Sequence, residues 1–252
     1  MEENMLEILK ILFCTPFLIY ACYSDIKKRS VTNYIWLMML SGGSFLVLYD
    51  VSDYGISYLF PIFISAGFIF ILAYILFQLG AFGGADAKAF IVLSIILPTY
   101  PAFKAFGYAL PLNKPLYDIF ALSILGNAAL LTIVVPIGLM AYNISVMGWR
   151  IDNPVYIFMG YKTKISKLAG KHIRLVQAFE VVDGRVRSRF KWGGVEINEK
   201  KIRELKALSE KGLIKDEVWV TPGLPFMISI TMGFFMAAFY GDLMFVLIKF
   251  LL

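Results

Sequence analysis

Two aspartates, Asp25 and Asp86, are the residues whose type and setting point most directly to chemistry. Asp25 closes one long apolar run and Asp86 opens another. An ionisable group beside lipid is expensive and is a functional candidate by default. Two carboxyl groups at one depth are the minimum machinery of an aspartyl protease. One, ionised, takes a proton from water, while the other, protonated, polarises the scissile carbonyl. Held about 3 Å apart they cannot both ionise, so they share a proton and titrate as a unit. The chemistry requires no metal. The stretch Phe82-Gly83-Gly84-Ala85-Asp86-Ala87-Lys88 places small residues just ahead of the second acid. Small residues let a helix or an extended substrate come close, and glycine permits a turn of positive φ. Simpler accounts exist for each acid alone. Asp86 suits the first turn of a helix, and Asp25 is a juxtamembrane charge balanced by Lys27 and Lys28.

The elements that must position these acids are membrane helices. Of 252 residues, 59% are hydrophobic and 17% charged, against roughly 45–50% and about 25% in soluble domains. Mean hydropathy is +0.73. A span needs about 20 mostly apolar residues, and six runs qualify: Met5–Tyr23, Val31–Tyr49, Ser57–Gly80, Ala87–Leu110, Ile119–Val146 and Pro222–Gly241. Pro16 is expected to kink the first, and Pro98 and Pro101 interrupt the fourth. The first run follows Met-Glu-Glu-Asn rather than a basic region, unlike a cleaved secretory signal. The expected fold is a membrane all-α protein of six helices with a small α+β cytoplasmic domain before the last. Its divisions are 1–147 (helices one to five), 148–220 (soluble domain) and 221–252 (last helix and apolar tail).

Lys and Arg in the loops set the orientation. Lys27-Lys28-Arg29 follows the first run, whereas Asp50-Val51-Ser52-Asp53 after the second has no Lys or Arg. Segment 148–220 carries sixteen Lys/Arg against nine Asp/Glu. Both termini are therefore expected outside, with the soluble domain in the cytoplasm. On this topology Asp50, Asp53, Asp118 and Asp242 fall at the outer edge, and Glu7 has Lys10 as a partner one turn away. Only Asp25 and Asp86 end spans on the cytoplasmic side. Within 148–220, Ile173–Ile197 reads as strands broken at Asp183-Gly184, a hairpin signal. Asn198 then caps a helix presenting Ile202, Leu205 and Leu208, and Gly212 stops it.

Scarce residues exclude other chemistries. Cys14 and Cys22 both lie in the first apolar run, so neither a disulfide framework nor a Cys-x-x-Cys zinc site is available. The single histidine, His172, lies in the hydrophilic segment, away from any span. Ser-His and His-Glu-x-x-His mechanisms are thereby disfavoured.

At these residues the chain resembles the archaeal preflagellin/type IV prepilin peptidases, membrane aspartyl proteases with a Gly-x-Gly-Asp motif. Ser24-Asp25 ends the first helix, a basic stretch follows, and Tyr34-Ile35-Trp36 opens the second. Gly83-Gly84-Ala85-Asp86 occupies the second motif. Trp219-Val220-Thr221-Pro222-Gly223-Leu224-Pro225 leads into the last helix, which Gly241-Asp242 ends. Ala85 departs from the motif's glycine, and its methyl is tolerable only if φ there is negative. The resemblance implies that Asp25 and Asp86 are the catalytic pair. It also implies precursors of archaellin or pilin type, with a short basic leader before a hydrophobic segment, cut at the cytoplasmic membrane surface. No cofactor or metal is implied, and methylation is not expected. Gly83, Gly84, Pro222 and Pro225 are candidates for substrate binding or motif support. The prolines have an alternative reading as first-turn residues. Lys88 reads as a lipid anchor, and the basic domain suits anionic headgroups rather than nucleic acid. A small transporter or a membrane scaffold are the alternatives. The transporter is disfavoured because the acids sit at an edge and no internal repeat is evident.

Overall fold

The computed structural model describes all residues except 1, 106, 114–116, 149–153, 172, 183–184, 224 and 252. The chain forms α1 (Glu2–Lys28), α2 (Asn33–Tyr54), α3 (Leu59–Gln78) and α4 (Gly84–Ile96), then short strands β1 (Phe103–Ala105) and β2 (Tyr108–Leu110), and α5 (Phe120–Met147). There follow α6 (Pro154–Met159), β3 (Tyr161–Lys164), β4 (Ile173–Val182), β5 (Arg185–Glu196), α7 (Glu199–Glu210), β6 (Glu217–Pro222), α8 (Phe226–Phe239) and α9 (Leu243–Leu251). Two compact units result, Met1–Thr132 with Pro225–Leu252, and Ile133–Leu224.

The first unit is the apolar one. Four helical stretches are long and apolar enough to cross a membrane: Met5–Lys28, Asn33–Tyr54, Ile56–Gln78 and Phe120–Met147. The pair α8 and α9, bent by 70° at its break, adds a fifth if it counts as one broken span. The expected six are therefore not found among the described residues. The difference lies in α4, whose 13 residues reach about 20 Å, short of the roughly 30 Å hydrocarbon core. Pro98 and Pro101 cannot continue its hydrogen-bond ladder, and the chain returns as the β1–β2 hairpin, with Phe103 opposite Leu110.

Packing follows helical spacing. Cys14, Leu18 and Ala21 turn one face of α1 into a core that also takes Trp36 and Met39 of α2, Phe90 and Leu93 of α4, and Ile230 and Phe234 of α8. By contrast, α3 buries only Ser65, Ile69 and Ala73, and exposes Phe60, Phe63, Phe70 and Ile71 to what would be lipid. Close approach is bought with glycine. A Cβ on Gly43 would lie 2.4 Å from Ile96, and one on Gly233 would lie 2.7 Å from the Ile124 carbonyl oxygen, the small-residue packing usual between membrane helices.

Charge is buried at the end of α1 away from Asp25. Lys10 Nζ lies 2.6 Å from Asp50 Oδ2 and 3.0 Å from Glu7 Oε1, and both Lys10 and Asp50 are 0% exposed. The expected Glu7–Lys10 pair is present. Asp50 and Asp53, however, are not in a loop, because α2 runs on through Tyr54. The break between α8 and α9 is likewise polar and buried. Asp242 accepts hydrogen bonds from Tyr117, from the Ser123 hydroxyl at 2.7 Å and from the Phe245 N–H at 3.0 Å, while Gly241 takes φ 112°.

The second unit carries a four-stranded antiparallel sheet in the order β3-β6-β4-β5. Alternation places Leu175, Val218 and Val220 with Leu205 of α7. Val176 and Trp219 pack with Tyr156 of α6. Strands β4 and β5 pair up to Val182 opposite Arg185, as a hairpin requires; the Asp183-Gly184 turn itself lies outside the described residues. Asn198 caps α7 by accepting the Lys201 N–H at 2.8 Å, and Gly212 leaves the helix at φ 68°.

Candidate active site

Asp25 lies in the last turn of α1 rather than in a loop, since the helix runs on to Lys28. Its backbone carbonyl accepts the Arg29 N–H at 3.0 Å, and Arg29 then leaves the helix at φ 54°. Ser24 Oγ donates to the Ser30 carbonyl at 2.7 Å, folding the link toward α2 back over the helix end. The Asp25 carboxylate accepts the N–H of Met227, the second residue of α8, at 3.4 Å from Oδ2. That N–H has no partner within its own helix, and the positive end of the helix dipole favours an anion there.

Asp86 sits in the first turn of α4 and is 8% exposed. Its Oδ2 accepts the Gly83 N–H at 2.9 Å, so it does cap its own helix, as the simpler account of it holds. Burial pushes its carboxyl up to about 6; the Gly83 N–H works against that shift, and the charge of Asp25 adds to it. The two acids thus stand within electrostatic reach of each other. The start of α8 touches both neighbourhoods. Met227 meets Asp25, and the adjacent Phe226 ring lies 5.4 Å from the ring of Phe82, which also stacks on Phe90 at 5.4 Å.

The glycines before Asp86 work differently from the expectation of a positive-φ turn. Gly80 makes that turn, at φ 72°, whereas Gly83 is extended (φ −79°, ψ 161°) and Gly84 is already helical. Smallness matters most at Gly83, where a Cβ would lie 3.2 Å from Asp86 Oδ2. Both glycines are exposed, leaving backbone open beside the acid. Ala85 is within α4, so its φ is negative and its methyl costs nothing.

Of the two prolines, Pro225 is the cap residue of α8, at φ −73°. Pro222 instead ends β6, opposite Ile173. The last span therefore begins at Phe226, because residues 217–222 gain sheet partners that a short apolar run does not announce. Lys88 Nζ donates to Asn33 Oδ1 at 2.6 Å, tying α4 to the start of α2. Among the described residues no three His, Cys, Asp or Glu side chains gather as a metal site.

Sequence reasoning passed over Cys22 and Thr231. Cys22 lies one turn before Asp25, on the same face of α1. Its thiol donates to the Met227 carbonyl oxygen at 3.2 Å, and its sulfur is 3.0 Å from Thr231 Oγ1. The i, i+3 spacing from Asp25 was the available signal.

Comparison with known proteins bears on this geometry. The profile of the type IV leader peptidase family matches residues 12–137, a stretch that includes Asp25 and Asp86. That of the archaeal peptidase A24 C-terminus, type II, matches residues 152–243. The preflagellin peptidase of Methanococcus voltae is 28% identical over 240 residues, covering 89% of this chain and 92% of that protein. The preflagellin peptidases of Methanococcus maripaludis and Methanocaldococcus jannaschii are each 26% identical, over 239 and 238 residues, covering 89% of this chain and 92% and 91% of their own lengths.

Proposed function

This chain belongs to the type IV leader peptidase family, a multi-pass membrane protease that cleaves leader peptides, and we propose that it does so by aspartyl chemistry at Asp25 and Asp86. The substrates are preflagellin- and prepilin-like precursors, each with a short basic leader ahead of a hydrophobic segment. The relatives reported above are named preflagellin peptidases. Cleavage takes place at the cytoplasmic face, where the basic loop residues and the 148–220 segment lie, and the basic segment meets anionic headgroups. Both termini are outside.

The observation that supports the reading is that the start of α8 contacts Asp25 through the Met227 N–H and contacts Phe82, four residues before Asp86, through the Phe226 ring. In this reading the two acids take separate roles. Asp86, buried and facing a second negative charge, holds the shared proton. Asp25, resting on the Met227 N–H at the start of α8, is the acid that takes the proton from water. Water then attacks the scissile carbonyl carbon while Asp25 takes the water proton and Asp86 gives its proton to the carbonyl oxygen. In the resulting gem-diol, Asp86 takes back a hydroxyl proton as the C–N bond breaks, and Asp25 delivers its proton to the leaving amine. Both carboxyls end as they began. The exposed backbone at Gly83 and Gly84 lies beside this chemistry and receives the extended substrate, and Pro225 sets the entry into α8.

The test is co-expression with a tagged precursor bearing a basic leader, scoring the size shift. Asp25→Asn and Asp86→Asn should each abolish cleavage with expression and membrane insertion unchanged. Appreciable cleavage by both single variants would overturn the assignment. So would a Gly-insensitive, Asp-insensitive activity that depends on the 148–220 segment alone.

A further inference from the structure

Between α1 and α8 the polar contacts form one registered set. On α1 they come from Cys22 and Asp25, three residues apart; on α8 from Met227 and Thr231, four apart, so each pair covers a single helical turn. Asp25 Oδ2 takes the Met227 N–H at 3.4 Å, the Cys22 thiol donates to the Met227 carbonyl at 3.2 Å, and Cys22 Sγ meets Thr231 Oγ1 at 3.0 Å. One thiol hydrogen cannot serve both partners. With it on the Met227 carbonyl, the Thr231 hydroxyl is the donor to sulfur. Both peptide groups of Met227 are thereby held from α1, the N–H by Asp25 and the C=O by Cys22.

We infer that Cys22 and Thr231 are positioning residues for the peptidase reaction, fixing the axial register of α1 on α8 so that the Asp25 carboxylate rests on the Met227 N–H. The inference builds on the proposed roles of Asp25 and Asp86. A slip of one residue along either helix is about 1.5 Å. The Asp25–Met227 contact, at 3.4 Å, already stands at the long end of the hydrogen-bonding range, so such a slip breaks it. The neighbouring buried side chains, Leu18, Ala21 and Ile230, have no directional bonds, whereas the Cys22 and Thr231 contacts do. Thr231 is 8% exposed, so its hydroxyl has no ready substitute in water.

The experiment measures kcat and KM for a synthetic precursor peptide with the full chain in lipid nanodiscs. Thr231→Val keeps the size of the side chain and Cys22→Ala loses only the sulfur, and each removes its directional contacts. Each should lower kcat about ten- to hundredfold, the cost of misplacing a catalytic group by about 1 Å, with KM changed less than twofold. The double variant should be no worse than the poorer single one, because both break the same lock. Thr231→Ser keeps a hydroxyl and Cys22→Ser puts one in place of the thiol, so both should restore most of kcat. Wild-type kcat in Thr231→Val, or serine variants as impaired as the apolar ones, would overturn the inference. Its failure is separable from that of the proposed function. Inactive Asp25→Asn and Asp86→Asn with a fully active Thr231→Val ends the positioning role alone, while active aspartate variants end the catalytic assignment.

Discussion

Lys10→Met removes the cation from a buried triad and leaves two carboxyl groups facing each other across α1 and α2. The size of the effect follows from burial. Exposed ion pairs contribute about 0–1 kcal/mol, but Lys10 and Asp50 are both 0% exposed and 2.6 Å apart, with Glu7 at 3.0 Å from the same ammonium. Breaking such a pair from one side costs about 3–5 kcal/mol, because the orphaned charge must be neutralised or hydrated where no water reaches it. For a chain of this length each kcal/mol moves the midpoint about 2–4 °C, so Lys10→Met should melt about 6–20 °C below the parent. The double variant Lys10→Met/Asp50→Leu removes the fully buried pair and leaves only Glu7, whose side chain is 20% exposed, so it should regain most of that loss. The assay is thermal unfolding in one detergent at one scan rate, followed by intrinsic tryptophan fluorescence, since irreversible unfolding makes the midpoint rate-dependent. Lys10 is 15 residues from Asp25 along α1, about 22 Å, so kcat at low temperature should hold. A Lys10→Met midpoint equal to that of the parent, or a double variant as unstable as the single, would refute the reasoning.

Three further outcomes follow from the site and its packing. In the proposed mechanism Asp86 acts as the acid and must hold its proton, and its carboxyl is pushed up to about 6 mainly by burial. Cleavage should therefore fall about tenfold per pH unit above that value, and a pH profile still rising at pH 9 would contradict the role. Gly83→Ala places a methyl 3.2 Å from Asp86 Oδ2. The carboxyl must give by a few tenths of an ångström, and kcat should drop up to about tenfold, with insertion unchanged on a membrane blot. Gly233→Ala drives a Cβ to 2.7 Å from the Ile124 carbonyl oxygen and 2.9 Å from the Ala128 nitrogen. Backbone cannot rotate away as a side chain can, so this variant should lose about 1–3 kcal/mol in thermal unfolding.

What the sequence by itself determined is what depends on scarcity and on local spacing. Carboxyl groups are rare beside apolar runs, and sorting them by side of the membrane singles out Asp25 and Asp86 as candidates. Three residues separate Glu7 from Lys10, one helical turn, and the pair formed. The Asn198 cap and the Gly212 stop of α7 are decided by the residues themselves, because capping involves only the neighbouring turn. The class of the protein was legible in its composition for the same reason: solvent preference sums over residues without regard to their partners. Tertiary structure decided whatever needs a partner distant in the chain. Asp50 reads as a loop acid, but α2 runs on through Tyr54 and Lys10 of α1 lies against it. Pro222 reads as the first residue of a helix, but pairing with β4 sets it opposite Ile173. The apolar run from Ala87 could have crossed the bilayer, but a 13-residue α4 and the β1–β2 hairpin satisfied its backbone instead. The N–H that receives Asp25 belongs to a residue 202 positions away, with nothing local in Met227 to mark it. Hydrogen-bond donors at a helix start are the same in every sequence, and only packing selects which carboxylate they meet.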